Sequence, residues 1–311
     1  MKLKIGTRGS KLALWQAEHV AGLLNAGGID TELIKIETRG DQKLDVSIAE
    51  IGTKGVFTEE IEHQLSLGTI DIAVHSAKDM QSELPEAYEL IAFTKREKVN
   101  DVMVSHNQQL KLEDKSENWV IGTSSARRKA LLKHYYPHVK TVEMRGNLQT
   151  RIAKMEKGDC DAMLLAYAGV HRMGYHDMII HEFHTGHFIP AVGQGSIAIE
   201  ALSTMEDGIK QKVRQLVADP TATYQLQAER AFLKTLRGGC SIPVFALARI
   251  ENGQISLRGG IISLDGKNML KEHICGPLDT AELLGTQMAE SLLSQGGDQI
   301  LAEIRRQMNI Q

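Results

Sequence analysis

The stretch LKIGTRGSKLALWQAEHV (3–20) decides how this chain folds. LKIG is an apolar, strand-like run, and Ser10 follows as a helix N-cap before apolar residues at helical spacing. A turn between a strand and a helix presents free backbone N–H groups and the positive end of the helix dipole. Arg8 adds a guanidinium, which pairs with carboxylate or phosphate. The stretch predicts an α/β unit with an anion site at its first strand end.

The same combination of residues occurs twice more. IGTSSARR (121–128) contains Arg127 and Arg128, and MRGNLQTR (144–151) contains Arg145 and Arg151. Each run follows an apolar, strand-like stretch and precedes a helix-like one. One such turn is a weak signal, but several in one chain indicate a ligand with many negative groups.

Composition and charge limit the class of protein. A chain of 311 residues is too long for one small core, so we expect two or three domains. A net charge of −3 argues against a nucleic-acid-binding polycation, and no apolar run is long enough to span a membrane. The N-terminus lacks the apolar core of a signal peptide. Three cysteines without a disulfide pattern fit a reducing cytoplasm.

Alternating strands and helices over the first two thirds of the chain predict two related α/β domains, each with a parallel, doubly wound sheet. Ligands of such sheets bind at the carboxyl ends of the strands. The tripeptide IGT at 5–7, 51–53 and 121–123 suggests a duplication. The predicted strands include ELIKIET (32–38), DIAVHS (71–76) and AMLLA (162–166), and the predicted helices lie at about 10–25, 56–65, 127–134 and 147–157.

After Pro220 the pattern changes. A long helix is predicted over 221–239, followed by strands joined at Asn252-Gly253 and Asp265-Gly266, which are strong hairpin turns. Two helices are predicted over 279–306. This part of the chain is therefore expected to be a smaller α+β domain.

Four groups of residues are candidates for chemistry, and each has a plainer interpretation. Asp79 in HSAKDMQ (75–81) follows a strand and either stabilises a developing cation or merely caps a turn. Cys240 in LRGGCSIP (236–243) is either a reactive attachment point or a small residue in a tight turn. Lys54 is either an anion ligand or an ordinary residue at a helix start. The histidines of HEFHTGH (181–187) fit a solvated loop better than a zinc site.

Taken together, the motifs resemble the porphobilinogen deaminase family. The matching segments occur in order and span nearly the whole chain: TRGSKLALWQA (7–17), TRGD (38–41), HSAKD (75–79), GTSSARR (122–128), RGN (145–147), AVGQG (191–195) and GGCSIP (238–243). No single segment is decisive, whereas the ordered set is highly specific.

The resemblance implies a fold and a reaction. It implies two periplasmic-binding-protein-like domains, over 1–96 with 197–216 and over 97–196, and a third domain over 219–311. The implied enzyme is a cytoplasmic, monomeric transferase that joins four porphobilinogen molecules head to tail into hydroxymethylbilane and releases ammonia, within heme biosynthesis. Every pyrrole carries an acetate and a propionate, which accounts for the arginines. A dipyrromethane cofactor, attached to Cys240 by a thioether, primes the chain. No metal, membrane or nucleic acid is expected.

The resemblance also assigns individual residues. Asp79 matches the catalytic aspartate. The positions implied to bind the cofactor are Cys240, Lys54, Ser76, Lys78, Asp79, Thr123, Ser125, Arg127, Arg128, Arg145 and Gly146. The positions implied to bind the substrate are Arg8, Ser10, Gln16, Arg145, Arg151, Arg172 and Gln194.

The chain departs from the family pattern at several positions. Gln81 stands where proline is usual, Glu50 stands where a basic residue is common, and Ala126 replaces a leucine. The segment REKVNDV (96–102) lacks the usual central Asp-Pro and second arginine. None of these changes removes Asp79 or Cys240.

Two other classes of function compete with the transferase. A two-lobed module that binds an anion without chemistry needs neither Asp79 nor Cys240. An enzyme with Cys240 as a turning-over nucleophile and His75 as its base is excluded if Cys240 is permanently occupied.

Overall fold

The computed structural model describes residues 2–38, 58–239 and 241–308, which form three sheets. The strands of the two larger sheets are β1 Leu3–Arg8, β2 Thr31–Ile36, β3 Ile72–Ser76, β4 Tyr88–Phe93, β5 Asp101–Val104, β6 Val120–Gly122, β7 Lys140–Val142, β8 Ala162–Ala166, β9 Ile179–Glu182 and β10 Ile197–Leu202. Their helices are α1 Lys11–Ala26, α2 Glu59–Ser66, α3 Ala126–Tyr135, α4 Leu148–Glu156, α5 Tyr167–Arg172 and α6 Asp207–Val217.

The two larger sheets share one strand order. The first is β2-β1-β3-β10-β4 and the second is β7-β6-β8-β5-β9. Gly6 and Gly122 lie in β1 and β6, the second strand of each order. A Cβ on Gly6 would lie 2.3 Å from Ile70 Cδ1, and a Cβ on Gly122 would lie 2.8 Å from Cys160 Sγ. This correspondence supports the duplication suggested by the first and third IGT copies. The second copy, at 51–53, lies outside the described residues.

The prediction of parallel sheets was wrong for one strand in each. β10 pairs antiparallel with β3 and β4, and β5 pairs antiparallel with β8 and β9. Ile197 at the start of β10 faces Ser76 at the end of β3, and Asp101 at the start of β5 faces Ala166 at the end of β8. The chain enters β10 and β5 after it crosses from the other sheet, and it arrives at the edge where β3 or β8 ends. Each of these two strands must therefore run antiparallel to that neighbour.

The third sheet is a meander with helices on one side. Its strands are β11 Val244–Glu251, β12 Gln254–Ile262 and β13 Met269–Pro277, and its helices are α7 Pro220–Thr235, α8 Ala281–Leu292 and α9 Asp298–Gln307. Both predicted hairpin turns are present, with positive φ at Asn252, Gly253 and Gly266. Gly285 lets α8 approach α7 closely, because a Cβ there would lie 2.1 Å from the Ala228 carbonyl oxygen. The predicted fold class, two doubly wound α/β domains and a smaller α+β domain, is confirmed.

Element bounds differ from the predictions in two places. The long helix ends at Thr235, short of the predicted end at 239, and Arg237 follows with a φ of +47°. His181 lies in strand β9 and not in a loop, because 179–182 pairs with β5 at the edge of the second sheet.

No described helix has the length and apolarity needed to cross a bilayer. The division of the chain into domains stays a prediction, although β10 does join the first sheet.

A buried ion-pair cluster fixes α3 on the second sheet. Asp101, fully buried at the start of β5, accepts a hydrogen bond from Arg127 Nη1 at 2.7 Å and two from Arg128, Nε at 2.9 Å and Nη2 at 2.7 Å. Burial alone would raise the pKa of Asp101, but the two guanidinium charges outweigh that effect and hold it well below the ordinary value. The carboxylate is therefore ionised and ties β5 to the first turn of α3.

Replacing Asp101→Asn should lower the free energy of unfolding by about 3–5 kcal/mol, because it leaves two buried guanidinium charges without their counter-ion. Chemical denaturation checks this, with the exposed Asp279→Asn as the control. A carboxylate whose pKa is depressed stabilises the fold above its ordinary pKa and loses that effect in stronger acid. The difference in unfolding free energy between wild type and Asp101→Asn should thus persist from neutral pH to about pH 4 and become smaller below it. An equal loss in both variants would contradict the assignment.

Candidate active site

The carboxyl ends of the parallel strands carry many of the predicted site residues. Arg8 is the last residue of β1, Ser76 is the last residue of β3, and Thr123 directly follows β6. β1 runs parallel to β3, and β6 runs parallel to β8, so these ends gather at one edge of each sheet. Open α/β sheets bind their ligands at this edge.

Helices α1, α3 and α4 begin beside these strand ends, each with a polar N-cap. Ser10 Oγ accepts from the Ala13 N–H at 3.3 Å, and Ser125 Oγ accepts from the Arg128 N–H at 3.4 Å. Asn147 Oδ1 caps α4 in the same way. A serine hydroxyl that accepts in this way still has an O–H to donate. Ser10 and Ser125 can therefore cap their helices and donate to a carboxylate at once.

Asp79 ends a turn of 3-10 helix, Ala77–Asp79, that follows β3. The Ala77 N–H donates to the Ser196 carbonyl at 3.0 Å. Gly193, with a φ of +74°, lies against the turn, and a Cβ there would come within 2.9 Å of the Ala77 carbonyl carbon and 3.0 Å of the Lys78 nitrogen. The segment that returns from the second sheet thus fixes the backbone beneath Asp79.

Lys78 and Asp79 lie within electrostatic range of two arginines from the second sheet. Burial lowers the pKa of Lys78; Asp79 opposes that effect, and Arg128 and Arg151 add to it. Burial, together with Arg128, lowers the pKa of Arg151 to about 10, and Asp79 opposes it. Lys78, Arg128 and Arg151 therefore share a region between the two sheets with two carboxylates, those of Asp79 and Asp101. An anion bound there would stabilise the cations in their charged form.

Arg127 and Arg128 direct much of their hydrogen bonding into the protein. Besides Asp101, Arg127 Nη1 donates to the Ile189 carbonyl at 2.9 Å, and Arg128 Nη1 donates to the Leu164 carbonyl at 3.0 Å. Arg127 Nε is buried without a hydrogen-bond partner among the described residues. These contacts give both side chains a structural role. Their assignment to the cofactor stays a prediction.

Three of the predicted substrate residues, Gln16, Arg172 and Gln194, are held by hydrogen bonds within the protein. Gln16 exchanges hydrogen bonds with Ser76 at 2.8 and 3.2 Å, which joins α1 to the end of β3. The Arg172 guanidinium lies over the Trp15 ring, 5.2 Å from its centre, and donates to the Gly195 carbonyl at 2.8 Å. Gln194 Nε2 donates to the Val99 carbonyl at 2.7 Å and to Asp101 Oδ1 at 3.1 Å. Arg172 and Gln194 therefore hold the junction of the sheets, whereas the contacts of Gln16 lie within the first one.

Thr123, Arg145 and Gly146 line the second sheet's edge. The Thr123 hydroxyl accepts from the Ser125 N–H at 3.3 Å. The Arg145 carbonyl accepts from Lys154 Nζ at 3.3 Å. Gly146 has a φ of +110°, and a Cβ there would lie 2.8 Å from Thr150 Cγ2, so the turn into α4 requires glycine. The local backbone thus explains this glycine without a ligand.

Cys240, Lys54 and Glu50 lie outside the described residues, so their predicted roles stay predictions. The structure does describe the residues on either side of Cys240. Arg305 Nη2 donates to the Leu236 carbonyl at 2.9 Å, and the Ile242 N–H donates to the Gly239 carbonyl at 3.1 Å. Helix α9 therefore holds the end of α7, from which the Cys240 loop begins.

Metal ligands do not cluster in the described ranges. Within residues 2–38, 58–239 and 241–308, no three histidine, cysteine, aspartate or glutamate side chains are grouped to hold an ion. His181 packs edge-on to Phe183, with ring centres 4.7 Å apart. The ring centres of His184 and His187 are 6.1 Å apart. These histidines make aromatic contacts in the described structure.

Several residues that organise this region were missed in the sequence. Glu229 accepts hydrogen bonds from Arg96 Nη1 at 2.6 Å and Nη2 at 3.0 Å, and from the Gly193 and Ala248 N–H groups at 2.8 Å each. His75 Nε2 lies 3.0 Å from the buried Glu200 Oε2. A glutamate inside the apolar run IAIEAL (197–202) was a usable signal for Glu200. Glu229 has no comparable signal, because its helix contains several polar residues.

The chain is similar to known proteins in sequence and, more distantly, in fold. The chain matches the family models "Porphobilinogen deaminase, dipyromethane cofactor binding domain" over residues 3–210 and "Porphobilinogen deaminase, C-terminal domain" over 223–294. Among solved structures it is similar to the VFT2 domain of Bordetella pertussis BvgS, with a TM-score of 0.44 and 14% identity over 69% of this chain and 86% of that one.

Two full-length relatives carry the same name. Porphobilinogen deaminase of Desulfosudis oleivorans is 53% identical over 307 residues and 99% of each chain. That of Cytophaga hutchinsonii is 54% identical over 304 residues, or 98% of this chain and 97% of the relative. Identity at this level over nearly the whole length, together with the matched family models, shows that the chain belongs to the porphobilinogen deaminase family.

Proposed function

We propose that this chain is a hydroxymethylbilane synthase, which joins four porphobilinogen molecules head to tail and releases one ammonia for each. Family membership supports this activity. The single observation that carries the assignment of residues is the grouping of Asp79 and Lys78 with Arg128 and Arg151. One carboxylate for a developing cation and several cations for pyrrole carboxylates are what the reaction requires.

The residues fit a dipyrromethane cofactor. Such a group carries acetate and propionate side chains, and Lys78, Arg128 and Arg151 each have a pKa lowered mainly by burial. The buried Arg127 Nε, without a partner among the described residues, is a further donor. We assign these side chains, with Ser125, to hold the carboxylates, and Cys240 to carry the thioether. When bound, the cofactor supplies the pyrrole carbon to which the first substrate is added.

Asp79 is proposed to act on the substrate itself. Loss of ammonia from porphobilinogen leaves a cation that is delocalised onto the pyrrole nitrogen. A fixed carboxylate beside that nitrogen stabilises the positive charge and can accept the pyrrole proton when the ring becomes aromatic again. The Ser196 hydrogen bond and the contact with Gly193 hold the backbone of the Asp79 turn, so little reorganisation is needed.

The remaining cations are assigned to the growing chain. Arg8, at the end of β1, and Arg172, at the junction of the two sheets, are proposed to bind substrate carboxylates together with Ser10, Gln16 and Gln194. Free thiols at Cys160 and Cys275 support a reducing compartment, and we propose the cytoplasm. The proposed enzyme acts as a monomer.

The intact mass of the denatured protein tests the cofactor. Wild type, purified from a host that makes porphobilinogen, should exceed its sequence mass by two deaminated porphobilinogen units. Cys240→Ala should lack this increment, and Cys275→Ala, which removes an exposed free thiol, should keep it. Unmodified wild type would favour a binding module, and an increment retained in Cys240→Ala would show that another residue is the attachment point.

Asp79→Asn should lower kcat about 100-fold or more, because the amide cannot neutralise the developing cation. The change keeps the shape of the side chain, so the variant should fold and retain its cofactor mass. The control is Asp177→Asn, whose side chain is 91% exposed and should be silent. Steady-state turnover of porphobilinogen measures both, and a normal rate in Asp79→Asn would remove the proposed mechanism.

A further inference from the structure

The turn that carries Asp79 is held on both sides, and its far side contacts the third domain. Met80, which is 3% exposed, belongs to an apolar cluster with Ala222 and Leu226 of α7. The next residue, Gln81, accepts a hydrogen bond at its backbone carbonyl from Arg230 Nη2 of α7 at 2.9 Å. Helix α7 therefore contacts the segment that immediately follows the catalytic aspartate.

The side chain of Gln81 makes a second connection, to the first domain. Its Nε2 donates to Thr58 Oγ1 at 3.1 Å and to Glu62 Oε1 of α2 at 3.2 Å. Thr58 and Glu62 are both buried. Because both hydrogens of the amide are used, the side chain has one defined orientation. Gln81 thus links α2 and α7 to the turn through different atoms.

Arg230 is suited to a fixed contact. Burial lowers its pKa to about 10, and the charge of Glu200 opposes that effect. Glu200 in turn pairs with His75 of β3, so the guanidinium lies near the buried pair that precedes the turn. A guanidinium held in place by burial and by a neighbouring carboxylate loses little freedom when it binds a carbonyl.

Helix α7 also leads to the cofactor. Glu229, the neighbour of Arg230, binds Arg96 and the Gly193 N–H, and the helix ends at Thr235 just before the loop that contains Cys240. One rigid helix therefore contacts the segments that cross between the sheets, the Asp79 turn and the start of the Cys240 loop. Any tilt of α7 would change the distance between Asp79 and the start of the loop that contains Cys240.

We propose that Arg230 and Gln81 are positioning residues for Asp79. Arg230 sets the Asp79 turn against helix α7, which leads to the Cys240 loop, and the Gln81 side chain sets the same turn against α2. The inference rests on the proposed function. Neither residue is assigned a contact with the reacting atoms. Their effect should appear in the rate of the bound complex and not in substrate affinity, since small displacements of a reacting group slow the chemical step.

The test compares holoenzymes whose cofactor content has been verified by intact mass. Arg230→Met should lower kcat about tenfold and change KM by less than about twofold. Arg230→Lys should recover most of the rate, because an ammonium can also donate to the Gln81 carbonyl. Gln81→Leu, which keeps the carbonyl and removes the amide donors, should lower kcat about threefold.

Lys234→Met is the matched control. Lys234 also joins α7 to the segment after Asp79, because its Nζ lies 3.1 Å from Glu83 Oε1. The side chains of Lys234 and Glu83 are, however, 60% and 70% exposed. Exposed ion pairs contribute little, so this variant should keep the wild-type kcat and KM.

Three outcomes would overturn the proposal: Arg230→Met holoenzyme with kcat within about twofold of wild type, an equal loss of rate in Lys234→Met, or a loss that matches the unfolded fraction. If Arg230→Met does not fold, Leu226→Ala decides by the same criterion, since it weakens the apolar contact of α7 with Met80 and leaves the buried charges in place. Gln81→Leu tests the connection to α2 separately. Failure of the proposed function would instead show in wild type, as an absence of hydroxymethylbilane formation.

Discussion

The arrangement of the site depends on one buried carboxylate, Glu229. The chain passes between the two larger sheets twice, and Glu229 binds both passages, Arg96 in the first and the Gly193 N–H in the second. Its bond to the Ala248 N–H adds β11 of the third domain. An ionised carboxylate is costly to bury unless its oxygens are fully paired, and here four donors pair them. The hydrogen bonds that pair this carboxylate also orient the two crossing segments and strand β11 relative to helix α7.

The cations between the two larger sheets have two different roles. Asp101 lies between Arg127 and Arg128 and uses their charges to fasten α3 to β5, so this part of the arginine array stabilises the fold. Arg151 and Lys78 lie toward Asp79, and burial lowers the pKa of both. A region that holds several partly desolvated cations favours a polyanion over a neutral ligand. The positive charge of this region thus suits the proposed substrate, and this match does not depend on any one arginine.

The sequence predicted local structure better than pairing across space. The Ser10 N-cap was predicted because a cap and the apolar periodicity after it are local signals, and the hairpin turns at Asn252 and Asp265 are equally local. The direction of β10 and β5 was not predictable, because it depends on where the chain enters a sheet. The partners of Arg127 and Arg128 were missed for the same reason: Asp101 lies 26 positions from Arg127, and only the folded sheet brings them together. Asp79 and Cys240 were candidates from their local sequence, but each also had a plainer interpretation there, and only the family resemblance favoured the functional one.

Position 81 shows how one residue can carry two independent constraints. The bond from Arg230 goes to the backbone carbonyl, so any residue at this position can accept it, including the proline that is usual in the family. The bonds to Thr58 and Glu62 come from the side-chain amide, so they require glutamine or a similar donor. The link between the Asp79 turn and α7 therefore does not depend on the side chain at this position, whereas the link to α2 does. A substitution at position 81 should change how the first domain holds the turn while leaving the approach of the third domain in place, and the two connections can be separated in this chain.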